Sequence, residues 1–259
     1  LLHGSSADSR YLASLATRLA EAGHHVHTPD LRGHGPAPQR RGDIDHLLQL
    51  EEDLEDLILS LELPADARVI VAGHSAGGGL ALRFSAAACQ RQRADIPLHG
   101  VILLAPYLHH LAPNMRRDSR WAQPRIARML ACALLNRLGI HRLDHIEVLG
   151  FNIPPEYRDA HTTDAYSWRL MTGLNPRDYQ SDLKALAHHQ LPVLALIGEH
   201  DEAFHAERLA QCLQPHHPAA QVEVLETIDH LGLATSSITA ERITAWLTKQ
   251  RTDQGGTPG

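Results

Sequence analysis

The sequence predicts an α/β fold built on a mostly parallel, doubly wound sheet with helices on both faces. Short apolar runs recur along the chain, and amphipathic segments of helical period separate them. Continuous apolar runs are typical of strands that are buried on both faces, as in parallel sheets. A G-x-S-x-G sequence at residues 73–77 stands between one such run and a helical segment, which places a sharp strand-to-helix turn there.

The predicted elements follow one another in an alternating order. Strands are expected at residues 1–3, 25–28, 68–72, 100–105, 191–198 and 221–225. Helices are expected at residues 9–22, from Asp43 to about 61, from Ala76 to about 90 and at 238–249. Asp43 is expected to cap its helix, because Asp is a preferred N-cap residue.

Residues 106–182 interrupt this alternation and are predicted to form a helical lid. One amphipathic helix is expected over residues 124–138, and the segment holds all three methionines and seven of the eleven aromatic residues. Side chains of this kind suit the walls of an apolar pocket. The core domain then comprises residues 1–105 and 183–251, and residues 252–259 form a polar, flexible tail. Because the chain starts inside an apolar run, strands preceding residue 1 are expected to be missing.

Composition excludes several classes of function. The net charge is −6 and no basic stripe is present, so nucleic acid is not expected as a partner. The three cysteines are far apart and odd in number, which predicts neither a disulfide framework nor a zinc site. Adjacent histidines point in different directions, so the many His pairs do not predict a metal site, and no cofactor is expected. A cytoplasmic location is favoured, with a peripheral membrane location or a missing N-terminal anchor kept open, and the oligomeric state stays open.

Ser75 lies at the apex of the predicted turn. The apolar run 68–72 precedes it and a helical pattern follows it, which is the context of a nucleophile elbow. Such a turn brings backbone atoms close together, so a small residue is needed two positions before and two positions after the serine. Gly73 and Gly77 occupy these positions.

A nucleophilic serine needs a base, and the base needs an acid to orient it. Asp201 follows the apolar run 191–198, and His230 follows the run 221–225. Asp201 is therefore the candidate acid and His230 the candidate base. Glu199 and Glu202 remain open as alternative acids, whereas Asp229 is disfavoured because sequence neighbours point in different directions.

An acyl-transfer site also needs two backbone amides that stabilise the oxyanion. The amide of Ala76 follows the nucleophile directly, and the second amide is expected in the loop after residues 1–3. Ser5 is the candidate there, with Ser6 as the alternative, because Gly4 allows a close approach of the backbone. His3 and His74 are interpreted as residues that brace these loops.

These motifs together resemble the α/β-hydrolase superfamily. They are H-G-S-S (3–6), D-L-R-G-H-G (30–35), G-H-S-A-G-G (73–78), G-E-H-D (198–201) and D-H (229–230). They follow the family's order over essentially the whole chain and look most like the serine-hydrolase branch that contains lysophospholipases and monoacylglycerol lipases. The H-G-G-G loop of many esterases is absent.

The resemblance implies a serine hydrolase that cleaves carboxylic esters through an acyl-enzyme. A small-molecule ester or lipid with an apolar acyl group is the expected substrate, and transient contact with a membrane surface is compatible with it. Fold and triad do not select the scissile bond. Thioesters, amides or peptides, and carbon–carbon bonds stay open as alternatives, as does a non-catalytic binding protein on the same fold.

Overall fold

A computed structural model describes residues 1–91, 96–117 and 121–255, with side chains described up to residue 252. The central sheet is parallel and has four strands: β1 (Val69–His74), β2 (Leu98–Leu104), β6 (Val193–Gly198) and β7 (Gln221–Leu225). Their order in the sheet is β1-β2-β6-β7. Leu2 adds a parallel bridge on the free side of β1. The four strands predicted from continuous apolar runs after residue 60 are thereby confirmed.

Helices accompany the strands along the chain. They are α1 (Ala13–Glu21), α2 (Gln49–Ser60), α3 (Ala76–Gln90), α4 (Ile126–Arg137), α5 (Trp168–Leu174), α6 (Tyr179–His188), α7 (Leu209–Leu213) and α8 (Ser237–Gly255). Helix α3 packs against α6 and α1 packs against α8. The carboxyl ends of the parallel strands meet at one edge of the sheet, where such folds bind their ligands.

Two predicted elements differ from the structure. Residues 25–28 do not form a strand. Among the described residues, the one backbone hydrogen bond to this segment runs from the Leu1 amine to the His27 carbonyl oxygen at 2.8 Å. Helix α2 begins at Gln49 and not at Asp43. The Asp43 carboxylate instead accepts two hydrogen bonds from Arg169 at 2.7 and 2.6 Å. Both errors arise because tertiary contacts override local preference.

The segment 106–182 is not purely helical, so that part of the prediction is wrong. It contains an antiparallel sheet of three short strands, β3 (Ala122–Pro124), β4 (Glu147–Phe151) and β5 (Ala165–Ser167), in the order β3-β4-β5. Phe151 and Tyr166, from neighbouring strands, lie with ring centroids 4.7 Å apart. Strands this short leave too few residues for a period of two to appear in the sequence.

Helix α4 lies within the range predicted for it, but its apolar stripe points to solvent. Ile126, Leu130, Leu134 and Leu138 are 57%, 66%, 61% and 67% exposed. The opposite side of the helix carries Cys132, which is fully buried. The leucines expected on the underside of a lid therefore do not line a pocket.

Two further features concern the chain as a whole. Helix α8 continues to Gly255, into the segment 252–259 for which a flexible tail is predicted, and residues 256–259 lie outside the described residues. Within the described ranges, no helix combines the length and the apolar character that a membrane span requires.

A buried arginine connects the core to the segment 106–182. Arg83 of α3 is 7% exposed and donates from Nε to Glu51 of α2 at 2.8 Å. Its Nη1 donates to the carbonyl oxygens of Thr172 and Gly173 in α5 at 2.9 and 2.7 Å. One guanidinium thus pairs with a buried carboxylate and satisfies C-terminal carbonyl groups of a helix.

Arg83→Met is expected to lower the free energy of unfolding by about 3–5 kcal/mol, because it leaves the Glu51 carboxylate buried without its cation. The double variant Arg83→Met/Glu51→Gln should recover part of this loss, since no buried charge then remains. Urea unfolding followed by circular dichroism measures both values. Equal stability of the single and double variants would contradict the assignment of the loss to an unpaired charge.

Candidate active site

The turn between β1 and α3 has the geometry of a strained elbow. Ser75 adopts φ 55° and ψ −119°, a left-handed conformation that is rare for a residue with a side chain. Its carbonyl oxygen accepts from the amides of Gly78, Gly79 and Tyr107 at 3.0, 3.2 and 2.9 Å. A Cβ at Gly73 would lie 2.1 Å from the Gly77 carbonyl oxygen. The strained serine is therefore held by its own backbone, and only glycine fits at that neighbouring position.

Gly77 shows the same constraint from the other side. A Cβ there would lie 2.4 Å from the His3 carbonyl oxygen. A Cβ at Gly4 would lie 3.1 Å from the Cβ of Ser75. The loop that follows residues 1–3 thus passes directly over the elbow.

His230 and Asp201 are brought together at the same edge of the sheet. His230 Nδ1 donates to Asp201 Oδ2 at 2.7 Å. Asp201 is 1% exposed, and its Oδ1 accepts from the amides of Ala203 and Phe204 at 2.9 and 2.7 Å. A buried carboxylate with three donors is held in one orientation. Since Nδ1 carries the proton, Nε2 of His230 is the nitrogen that can accept one.

The other carboxylates near His230 contact backbone amides and not the imidazole. Glu202 Oε2 accepts from the amide of His230 at 3.1 Å, and Glu199 Oε2 accepts from that of Thr227 at 3.1 Å. Asp229 Oδ1 accepts from the amide of Gly232 at 2.6 Å. These contacts fix the loop that carries His230, and the carboxylate that contacts the imidazole ring is that of Asp201.

A hydrogen-bonded chain joins the loop 3–6 to the His230 loop. His74 Nε2 donates to the His230 carbonyl oxygen at 3.0 Å, and burial holds the pKa of His74 well below its usual value. The ring is therefore neutral and its Nδ1 accepts, from the Tyr11 hydroxyl at 2.8 Å. The same hydroxyl oxygen accepts from the amide of Gly4 at 2.7 Å. Tyr11 and His74 thus fix the loop 3–6 relative to the loop that carries His230.

A second chain of the same type approaches the loop from the other side. The amide of Ser6 donates to the Tyr166 hydroxyl at 2.9 Å, and this hydroxyl lies 2.6 Å from His34 Nε2. His34 Nδ1 donates to the Arg32 carbonyl oxygen at 3.2 Å, so Nε2 accepts from the tyrosine. Tyr166 belongs to β5, and the segment 106–182 therefore reaches the loop that passes over Ser75.

The amides on either side of Ser5, those of Gly4 and Ser6, donate to tyrosine hydroxyls, but the amide of Ser5 does not. Within the described residues, the amides of Ser5 and Ala76 donate to no protein acceptor. Ala76 is the first residue of α3, where amides are free and the helix dipole favours negative charge. The Ser6 amide, the alternative considered from the sequence, already donates to Tyr166.

Sequence reasoning identified His3 and His74 as bracing residues but missed Tyr11, Tyr166 and His34. His3 Nε2 accepts from the Leu31 amide at 3.0 Å, and its Nδ1 lies 2.9 Å from the Gly4 carbonyl oxygen. His34 lies in the motif at residues 30–35 and could have been singled out there. Tyr166 is 160 residues from its partner Ser6, and no local pattern marks such a contact.

A protein-family model for serine aminopeptidases, S33, matches residues 1–231. The chain belongs to this family. The parallel sheet, the elbow and the acid–histidine pair of this S33 hydrolase agree with the α/β-hydrolase architecture that its motifs predict. A search of curated protein sequences found no match.

Solved structures similar to this S33 hydrolase include a monoacylglycerol lipase from Paleococcus ferrophilus. It shares 19% identity at a TM-score of 0.68, over 96% of this chain and 93% of that protein. A soluble variant of monoglyceride lipase from Saccharomyces cerevisiae, in complex with a substrate analogue, shares 14% identity at a TM-score of 0.68. The match covers 96% of this chain and 85% of the yeast protein.

A thermophilic esterase from Thermogutta terrifontis is also similar. It shares 20% identity at a TM-score of 0.61, over 96% of this chain and 88% of the esterase. At these identities the likeness shows the shared fold, and the substrate has to be argued from the site.

The buried His34 should make the folded protein less stable as the pH decreases. Burial, with the neighbouring His3 adding to it, lowers the pKa of His34 from 6.5 to about 3. Between these two values the unfolded chain binds a proton that the folded chain does not, so folding loses about 1.4 kcal/mol per pH unit as pH decreases. His34→Gln should reduce the slope of unfolding free energy against pH by up to that amount.

Urea unfolding at a series of pH values measures this slope. The exposed His145 provides the control, because His145→Gln removes one histidine and leaves the hydrogen bond between His34 and Tyr166 intact. An identical slope in the wild type and in His34→Gln would show that His34 does not stay neutral in the folded protein.

Proposed function

We propose that this S33 hydrolase cleaves carboxylic esters with an apolar acyl group by a serine–histidine–aspartate mechanism. The observation that carries the proposal is the 2.7 Å hydrogen bond between His230 and the buried Asp201, beside a strained elbow with Ser75 at its apex. Similar structures are described as monoacylglycerol lipases and esterases, which favours an ester as the scissile group.

In this mechanism Ser75 Oγ attacks the ester carbonyl carbon while His230 Nε2 takes the hydroxyl proton. Asp201 holds the tautomer and stabilises the imidazolium that forms. The carbonyl oxygen becomes an oxyanion and accepts from the amides of Ser5 and Ala76. Collapse of the intermediate expels the alcohol, which receives the proton from His230, and leaves an acyl group on Ser75. Water then attacks the acyl carbon with His230 as its base, and the bond to Ser75 Oγ breaks as the proton on His230 returns to that oxygen, which releases the carboxylic acid.

The contacts support Asp201 as the acid over the two glutamates. Its carboxylate reaches the imidazole, whereas Glu199 and Glu202 accept from backbone amides. They also support Ser5 over Ser6 as the second oxyanion donor, because a donor that already serves Tyr166 is not free for the substrate.

Tyr11 and Tyr166 act in this proposal as positioning residues. Each tyrosine holds one amide next to Ser5, at 2.7 and 2.9 Å, and so fixes the direction of the Ser5 N–H. A donor contributes to the rate when it is already aimed at the place where the charge develops. The segment 106–182 therefore contributes to the oxyanion site through Tyr166.

Hydrolysis of peptide amides is the second candidate, and the family's description as serine aminopeptidases favours it. The same serine, base and oxyanion donors serve both reactions. Comparing p-nitrophenyl esters of increasing acyl length with aminoacyl p-nitroanilides distinguishes them. Turnover of the anilides alone would replace the ester proposal by the peptidase.

Ser75→Ala should reduce turnover of p-nitrophenyl butyrate by at least about 10⁴-fold, because no nucleophile remains for the acyl-enzyme. It should also abolish labelling by a fluorophosphonate probe. Ser60→Ala, at an exposed serine at the end of α2, is the matched control, since it removes a hydroxyl outside the site. Labelling that persists in folded Ser75→Ala would falsify the assignment of the nucleophile.

Tyr166→Phe should lower kcat about tenfold with little change in KM, because the ground-state carbonyl depends less on the Ser5 amide than the oxyanion does. Affinity for a trifluoromethyl ketone, which forms an oxyanion on the serine, should fall by the same factor as kcat. Tyr157→Phe, at an exposed tyrosine of the same segment, is the control. A loss of stability with unchanged kcat in Tyr166→Phe would leave the tyrosine a purely structural role.

A further inference from the structure

Large apolar side chains are concentrated on one exposed part of the chain. Among the described residues fifteen of them are exposed, and seven lie within residues 121–143. They are Trp121, Ile126, Leu130, Leu134, Leu138, Ile140 and Leu143. Scattered exposed leucines are ordinary, but a local concentration of this kind is typical of a surface that contacts something else.

Helix α4 arranges this group as a continuous stripe. Ile126, Leu130, Leu134 and Leu138 are spaced four residues apart, so they lie one above the other on one side of the helix. All four are more than half exposed, and Cys132 is the residue of α4 that is buried. A helix that is apolar on both its inner and outer sides is typical of a position that is covered on both sides.

The charges around the stripe are of one sign. Residues 121–143 contain four arginines and no aspartate or glutamate, in a chain whose net charge is −6. Arg125 pairs with Glu147 at 2.6 Å. Arg137 and Arg142 are exposed and have no carboxylate partner among the described residues. Because Arg137 follows Ile126 by about three helical turns, it lies in line with the stripe.

We propose that the exposed face of α4, with the loop up to Leu143, docks onto an anionic lipid surface. The leucines then enter the boundary between headgroups and acyl chains, and Arg137 and Arg142 contact lipid phosphates. This deepens the proposed function and rests on it, because it specifies where an apolar ester substrate would be presented.

A second copy of the chain fits this face less well. In a symmetric dimer the same patch meets itself, and Arg137 would then face a stripe that carries Arg137 as well. Like charges placed against each other in a desolvated interface are unfavourable. A phosphate-rich surface supplies the opposite charge, which the patch itself lacks.

The segment that carries α4 is also connected to the elbow and to the loop 3–6. The segment that carries α4 leaves the core after β2, where the Tyr107 amide donates to the Ser75 carbonyl oxygen at 2.9 Å. It returns to the same place through Tyr166, whose hydroxyl holds the Ser6 amide. The segment proposed to contact the lipid is thus also the one that connects, through Tyr107 and Tyr166, to the elbow and to the loop 3–6.

Co-sedimentation with vesicles tests the docking directly. Wild-type protein should bind vesicles of phosphatidylcholine mixed with phosphatidylglycerol, more weakly at high salt and more weakly to phosphatidylcholine alone. Leu130→Ser/Leu134→Ser should lower the partition coefficient by at least about tenfold. Arg137→Glu/Arg142→Glu should remove most of the preference for phosphatidylglycerol.

The control is Leu59→Ser/Leu63→Ser, which changes two leucines that are 43% and 39% exposed outside this face and should bind as the wild type does. Failure of the wild type to bind, or equal binding of Leu130→Ser/Leu134→Ser, overturns the proposal. A dimer in sedimentation velocity that Leu130→Ser/Leu134→Ser dissociates, with no vesicle binding, assigns the face to a second copy instead.

Turnover of a soluble p-nitrophenyl ester by the same samples tests ester hydrolysis independently of lipid docking. Leu130→Ser/Leu134→Ser should keep the wild-type rate on this substrate, because α4 contributes nothing to the proposed catalytic site. Absence of ester turnover in a wild type that binds vesicles would reject the proposed function and leave the docking surface. Ester turnover by a wild type that does not bind vesicles would reject the docking surface and leave the proposed function.

Discussion

The left-handed backbone at Ser75 is the constraint on which the rest of this structure depends. A residue with a side chain adopts such a conformation only where surrounding contacts determine it. Here three amides hold the Ser75 carbonyl oxygen, and the close approach of the loop 3–6 leaves no room for a side chain at Gly77. The same turn places Ser75 directly before the first amides of α3. The strained backbone therefore also fixes the residue that is proposed as the nucleophile.

Around this turn, the polar groups are connected by neutral histidines. His74 and His34 are buried, and their low pKa keeps each ring uncharged. A neutral imidazole donates from one nitrogen and accepts at the other. Each ring therefore donates to a backbone carbonyl oxygen and accepts from a tyrosine hydroxyl, which fixes the position of that hydroxyl. The two hydroxyls accept from the amides of Gly4 and Ser6. The amide between them stays free because both neighbours are fixed.

The segment 106–182 has two faces with different tasks in this picture. Its inner strands bring Tyr166 to the loop over Ser75, and α5 accepts hydrogen bonds from Arg83 of the core. Its outer helix α4 presents apolar and basic side chains to solvent. The inner face connects this segment to the loop over Ser75, and the outer face is the surface proposed above to dock onto lipid.

The sequence by itself determined the sheet, the elbow and the order of Ser75, Asp201 and His230, because continuous apolar runs and a turn motif are local signals. It also determined the family, through motifs that are each a few residues long. It could not determine that Asp43 binds Arg169 and does not cap a helix, or that the leucines of α4 face outward. Only the tertiary structure decided which acid meets the imidazole and which amide near Ser5 stays free. Those choices depend on contacts such as Ser6 with Tyr166, 160 residues apart, and a partner at that separation leaves no trace in local spacing.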